Sequence, residues 1–286
     1  MKEELLDKEL LRPDRYLKWL ALGCATRKYG DHDFFMERLE HELELIAKLK
    51  LSNHFILLKR LKDVSYRKGY PIILFGNGES LLVTNLLRIS HVNPLKSHYH
   101  CRTCHYTEFN SKVEDGYDLT EKRCPICNDV LQRDGHDLCG DVFWEKPNFR
   151  IGVAPSAMPF VQERFDFLKK KMRIPDNWYP IQLEESMLCE TIGRMKKETG
   201  IHFGNVNPRD KDAGIYVYDE EHQRIFGDID VDLDKYCFRE LVRVGQTDSE
   251  QNIDTLMSKI TLEWYKQHFP DVYIRVMEEL DNLAFN

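Results

Sequence analysis

Cys101, Cys104, Cys124 and Cys127 form two Cys-x-x-Cys pairs with nineteen residues between them, the residue type and spacing that suit a tetrahedral zinc ion. Each two-residue turn sets two soft thiolates on one side of the ion. Four thiolates leave no coordination position open, so the zinc that this pattern predicts is structural rather than catalytic. Two reduced pairs without metal, or a disulfide framework, are the competing readings. The residues around the thiols suit a ribbon over residues 99–140: His98-Tyr99-His100 leads in, Arg102-Thr103 and Pro125-Ile126 fill the two turns, and a polar stretch over 110–120 links them.

The remainder of the chain must carry that ribbon. With 286 residues, 42% of them hydrophobic, there is enough apolar material for one large domain or two smaller ones. No apolar run approaches the roughly 18–20 residues of a membrane span, and Met1-Lys2-Glu3-Glu4 opens an acidic helical stretch rather than a signal peptide. Metal-type cysteines and 31% charged residues fit a reducing cytoplasm. Cys24, Cys139, Cys189 and Cys237 are scattered and read as small buried hydrophobes. A net charge of −7 argues against a dedicated duplex-DNA binder, which carries a basic excess.

The first fifty residues read as helical. Asp33 is a candidate N-cap for a helix in which Phe35, Met36, Leu39, Leu43, Ile46 and Leu49 form the core stripe, with Glu37, Glu40, Glu42 and Glu44 between them. A second helix over 55–64 ends at Gly69-Tyr70, and Pro71-Ile72-Ile73-Leu74-Phe75 reads as a buried strand. Gly76-Asn77-Gly78-Glu79-Ser80 follows; an ordinary tight turn is preferred to a phosphate-binding nest because Glu79 brings negative charge. Phe149, Ile151 and Val153 alternate as in a half-buried strand, Pro155 and Pro159 break the pattern, and a helix over 160–172 has a basic end. Residues 214–218 and 224–231 read as a hairpin, 241–244 as a further strand, and 252–280 as helical with a break at Pro270.

From Val92-Asn93-Pro94-Leu95, through the two cysteine pairs, to Asp134-Gly135-His136-Asp137, the sequence resembles PolC, the catalytic subunit of the Gram-positive type of DNA polymerase III. Tyr29-Gly30-Asp31 and Glu37-Arg38-Leu39-Glu40-x-Glu42-Leu43 resemble the same family, and the similarity runs weakly to about residue 257. The resemblance implies an α+β fold: a nucleotidyltransferase-type polymerase palm, a mixed β-sheet backed by helices, with an inserted four-Cys zinc ribbon. It divides the chain into an N-terminal helical part of the palm (1–70), palm strands (71–98), the ribbon insertion (99–140), the remainder of the palm (141–250) and C-terminal helices (251–286).

The family's chemistry uses two metal ions held by three carboxylates, which clamp the attacking 3′ oxygen and the leaving phosphate. On the resemblance, those three positions read Asn148, Arg150 and Gly245 here, so all three carboxylates are missing. The family's glycine-serine loop reads Gly76-Asn77-Gly78-Glu79-Ser80-Leu81, an arginine falls at Pro180 and a lysine at Glu190. The match also stops where that family's fingers begin. These changes predict a catalytically inactive homologue acting by binding nucleic acid or a replisome protein, either a polymerase or a sliding clamp, as an accessory or an inhibitor.

The alternative is an active, Mg²⁺-dependent DNA polymerase or nucleotidyltransferase using Asp228 and Asp230, in the alternating run Asp228-Ile229-Asp230-Val231-Asp232-Leu233-Asp234; an acidic edge strand is the preferred reading of that run. His202 reads as structural. Lys59, Arg60 and Lys62 on one helix, with Lys169, Lys170, Lys171 and Arg173 on another, are the candidate phosphate-tracking cations, although basic residues at a helix C-terminus also serve the helix dipole. Leu280-Asp281-Asn282-Leu283-Ala284-Phe285 resembles the clamp-docking pattern Q-x-x-L-x-F, with leucine in place of the glutamine; a tail folding back on the core is preferred.

Overall fold

The computed structural model describes residues 12–110, 112–145, 147–175, 181–200, 262 and 265–284. Three helices open it: α1 (Pro13–Tyr29), α2 (Met36–Lys48) and α3 (Ser52–Arg67). Pro13 stands in the first turn of α1, where a missing N–H costs nothing. Asp33 does not cap α2 with its side chain: Phe35 is the N-cap, and Asp33 contributes only its carbonyl, to the Met36 amide. The stripe Leu39, Leu43 and Ile46 is buried as expected, but Glu42 is buried with it rather than solvated. Helix α3 is longer than the apolar pattern over 55–64, because polar residues at both ends complete its turns.

Strand β1 (Ile72–Phe75) leads through a 3₁₀ turn (Asn77–Ser80) into the short helix α4 (Leu82–Leu86). Gly76, at φ +95°, makes the turn possible, so this loop is the ordinary tight connection that its acidic residue suggested. The ribbon follows, built from β2 (His98–His100), β3 (Thr107–Phe109) and β4 (Gln132–Asp134). His98-Tyr99-His100 is the central strand of this three-stranded sheet, antiparallel to both neighbours.

After α5 (Asp141–Glu145), β5 (Phe149–Val153) lies between β1, to which it is antiparallel, and β6 (Ile181–Glu185), to which it is parallel. The parallel pair is bridged by α6 (Met158–Met172), as parallel strands require a crossover. The helix begins before Pro159, which occupies its first turn instead of breaking it. Two further helices, α7 (Met187–Thr199) and α8 (Pro270–Ala284), pack against each other; α8 starts at Pro270 after helical residues 265–268 and a non-helical Phe269, so the expected break at Pro270 is present.

The described residues thus form a mixed α/β fold with two small sheets. Its main core lies where α3 and α6 cover β1 and β5: Phe149, Ile151 and Val153 point into it, and Phe55, Phe143 and Phe149 meet edge to face at 5.4–6.1 Å. Full burial of a side chain of this size stabilises by roughly 1.5–3 kcal/mol. Leu17, Ala21 and Ala25 of α1 complete the cluster. Of the scattered cysteines, Cys189 is buried as expected, whereas Cys24 is half-buried and Cys139 exposed. No described helix is long and apolar enough to cross a membrane. The expected hairpin and strand over 214–244, with Cys237 and His202, lie outside the described residues.

Candidate metal centre and its frame

The four predicted ligands converge. The sulfurs of Cys101, Cys104, Cys124 and Cys127 all lie within 4.8 Å of one another, with Cys101–Cys127 and Cys104–Cys124 at 3.4 Å. A tetrahedron of thiolates about 2.3 Å from a zinc ion has edges of about 3.8 Å, so the donor set fits a single metal ion. A disulfide requires sulfurs about 2.05 Å apart; these four thiols are free.

The two halves of the centre are built alike. The Cys101 amide donates to the Tyr106 carbonyl and the Cys124 amide to the Asp129 carbonyl, while His105 and Asn128 donate back to Cys101 and Cys124. His105 and Asn128, each following a pair, turn the chain at φ +62° and +65°. Histidine and asparagine are among the few residue types enriched in that conformation, a signal present in the sequence but not used above. Burial disfavours ionising Cys124, yet amides from Cys127 and Ile126 outweigh it and bring the thiol down to about 7. Thr103 reaches across to Asp129 (2.5 Å), joining the two turns.

A polar frame closes the base of the ribbon. Backbone amides of His136, Asp137 and Leu138 donate to the carbonyls of Asn93, Leu95 and Pro94, so the Val92–Leu95 run and the Asp134–Asp137 run are partners of each other. Asp134 accepts from Lys28 Nζ (3.1 Å), Asn93 Nδ2 (2.7 Å) and the Gly135 amide (2.9 Å). Asn93 also donates to the Tyr29 hydroxyl, and Lys28 to Asn85. Burial alone would raise the Asp134 pKa, but the Lys28 ammonium and these donors hold it well below the usual carboxylate range.

His136 meets Asp115 at 2.8 Å, with both side chains buried. A Cβ on Gly135 (φ +95°) would stand 2.2 Å from the Lys96 carbonyl oxygen, so only glycine fits there. His98 donates its Nδ1 proton to the Lys96 carbonyl (2.7 Å), and burial lowers its pKa.

The same frame reaches the helices. His105 Nδ1 donates to the Lys28 carbonyl at the end of α1 (3.0 Å), directly over Gly30. Buried Glu42 accepts from the amides of Leu82 and Val83 (both 3.0 Å), capping α4 from a different helix. Arg38 pairs with Glu42 and donates to the carbonyls of Ser80 and Pro94. Burial raises the Glu42 pKa despite these donors.

The residues on the sheet face are arranged differently. Arg150 projects from β5 away from the core and forms a two-pronged ion pair with Glu184 of β6, Nε–Oε1 at 2.8 Å and Nη2–Oε2 at 3.1 Å. The Asn148 amide donates to Asn77 Oδ1 (3.1 Å). Glu190 is buried and structural: it accepts from the amide and hydroxyl of Ser156 and pairs with Arg194 (2.9 Å).

Among the candidate cations, Lys59 pairs with Asp63 (2.5 Å), Arg60 donates to the Tyr16 hydroxyl (3.3 Å) and Lys62 stands over the Tyr66 ring. Lys169 and Lys171 stand over Phe165 and Phe167, while Lys170 and Arg173 are exposed. Helices α3 and α6 run antiparallel, Asn53 reaching the Met172 carbonyl at one end and Lys68 the Phe160 ring at the other. The α6 cluster therefore lies beside the start of α3, whereas Lys59, Arg60 and Lys62 lie at and beyond its middle. Asp228, Asp230, Gly245 and Pro180 lie outside the described residues, and residues 280–284 form the end of α8.

Residues 15–134 match the family described as the bacterial DNA polymerase III alpha NTPase domain. Similar curated proteins include the PolC-type DNA polymerase III of Lacticaseibacillus paracasei, 29% identical over 231 residues, covering 79% of this chain and 15% of that protein. Those of Thermotoga petrophila and Mycoplasma genitalium are 35% identical over 150 residues and 36% over 118, covering 48% and 40% of this chain. The chain spans 8–15% of the length of these three relatives.

Proposed function

We propose that this chain, which contains a region related to the alpha subunit of PolC-type DNA polymerase III, is a non-catalytic descendant of the polymerase palm that acts in DNA replication by binding. Its sheet β1-β5-β6 with α3 and α6 corresponds to the palm, residues 99–140 to an inserted ribbon, and the four cysteines hold a structural zinc ion. Soft thiolates and a closed donor set favour zinc over magnesium at that centre.

The observation that carries this reading is the Arg150–Glu184 ion pair. The resemblance puts a metal-binding carboxylate at Arg150; a guanidinium there repels a divalent cation and occupies the neighbouring carboxylate. Asn148, at the companion position, is neutral. Replacing carboxylates by a cation and an amide removes the charge that two catalytic metals need, while leaving the strand's core face intact. The remaining role is occupancy: of nucleic acid, or of a replisome protein such as the polymerase or the sliding clamp.

Primer extension by the zinc-loaded protein with Mg²⁺ and all four deoxynucleoside triphosphates tests it. No extension is the expected result. Extension that disappears in Asp228→Asn and Asp230→Asn would establish the enzymatic alternative.

A further inference from the structure

Helix α6 carries an ordered stripe on its outer surface. Phe160, Arg164, Phe167 and Lys171 follow one another at steps of four, three and four residues, which places them along one face. The opposite face, Val161, Phe165, Leu168 and Met172, is buried in the main core. Phe160 and Phe167 remain 45% and 39% exposed. Each has a cation at its ring: Lys68, from the end of α3, stands 3.8 Å over Phe160, and Arg164 and Lys171 stand 4.9 and 5.9 Å over Phe167.

A single exposed phenylalanine is an ordinary surface residue. Two of them alternating with three cations along about 16 Å of helix make a different object. Bases of any sequence stack on aromatic rings, and the phosphates between them need cations at similar intervals. Lys170 and Arg173, both exposed, extend the positive charge past the end of the helix. Of the acidic residues beside the stripe, Asp166 is engaged by Gln162 (3.0 Å), and exposed Glu163 offsets one positive charge, leaving Lys68, Arg164, Lys170, Lys171 and Arg173 in excess. In a chain of net charge −7 this is a local concentration of positive charge, complementary to a polyanion rather than to an acidic or apolar surface in general.

We infer that the outer face of α6, with Lys68, is a binding strip for single-stranded polynucleotide, read through stacking and phosphate contact without base specificity. This deepens the binding role proposed above and rests on it. It assigns that role to the helix behind the sheet, not to the face carrying Arg150.

Fluorescence anisotropy with labelled oligothymidylate and oligouridylate, at low salt, tests the strip. Both strands are expected to bind, with affinity falling with salt at a log–log slope of about −2 for three phosphate contacts. Phe160→Ala and Phe167→Ala should each weaken binding roughly tenfold, and Lys171→Gln should reduce the slope by about 0.7. Phe→Trp at either position should retain binding and report it by quenching. Oligodeoxyuridylate, which differs from oligouridylate only in the sugar, shows which sugar the strip favours.

Because both rings are exposed, the variants should melt at the wild-type temperature, which separates lost contacts from lost folding. Unchanged binding by the Phe160→Ala/Phe167→Ala variant overturns the strip. So does the absence of binding by the wild-type protein, which would leave an acidic protein segment as the occupant. Neither result bears on primer extension, which tests the non-catalytic reading separately.

Discussion

The base of the ribbon and the open face of β5 treat charge in opposite ways. At the base, Asp134, Lys28, Asn93, Tyr29, His136 and Asp115 come from distant parts of the chain and satisfy one another in a many-membered network, mostly buried, in which Lys28 and Asp134 are about a quarter exposed. On β5, Arg150 and Glu184 are about a third exposed and pair with the adjacent strand. Of the residues that carry the family resemblance, Tyr29, Gly30, Arg38, Glu42, Asn93, Asp134, Gly135 and His136 belong to the frame or its extension into α2 and α4. Such residues are held by one another, so changing one leaves a buried polar group without its partner. A residue that serves only a substrate is held by nothing in the fold and can change without unfolding it. On the reading proposed above, that difference lets a frame persist while a substrate site changes.

The comparison is broken most severely at the metal centre. Removing the ion with a chelator, or Cys101→Ser, should abolish protection of the amides over 98–134 in hydrogen exchange while the β1-β5-β6 sheet keeps its protection, since metal binding supplies folding free energy to such a centre. One zinc per chain by elemental analysis is the matching expectation.

Asp134→Ala should destabilise by about 2–3 kcal/mol in denaturant unfolding. This is below the 3–5 kcal/mol of a fully buried pair because both partners keep some solvent contact. The same group sets the acid response. Asp134 is depressed in the fold and titrates near 3.9 when unfolded, so its contribution is present at neutral pH and is lost as pH falls below about 4. His98, lowered by burial, adds an earlier loss: the unfolded chain takes up its proton below about 6.5 while the folded one resists. Unfolding midpoints between neutral pH and about 3.5 should fall in these two stages, and Asp134→Asn should flatten the second.

On the sheet face the effects should be small. A double-mutant cycle on Arg150 and Glu184 should give a coupling below about 1 kcal/mol, as for other partly exposed pairs. A coupling as large as the effect of Asp134→Ala would erase the contrast between the two regions.

Much of this was legible in the residue pattern. The thiol spacing identified the four-thiol cluster that could hold a metal ion, and the apolar periodicities found α2, α3, β1, β5 and the body of α6. What escaped has specific causes. Glu42 lies in phase with Leu39, Leu43 and Ile46, at the i+3 position of their stripe, and that phase marked it as buried; its acidic type suggested solvent instead. Lys28 and Asp134 are 106 residues apart, and no local pattern can couple them. Helix α6 began earlier than expected because proline in a first helical turn resembles a breaker when only the sequence is considered. The ion pair between Arg150 and Glu184 depends on the parallel register of β5 and β6, which puts Glu184 opposite Gly152 and diagonal to Arg150.

The central claim is the proposed one, that this chain assembles no two-metal polymerase site, either at the positions of Asn148 and Arg150 or through Asp228 and Asp230. Titration of the zinc-loaded protein with Mn²⁺ in the presence of a deoxynucleoside triphosphate, followed by electron paramagnetic resonance, tests it most directly. The account predicts only the signals of aqueous and nucleotide-bound manganese, unchanged by Asp228→Asn or Asp230→Asn. Protein-bound manganese that is lost in either variant would contradict it.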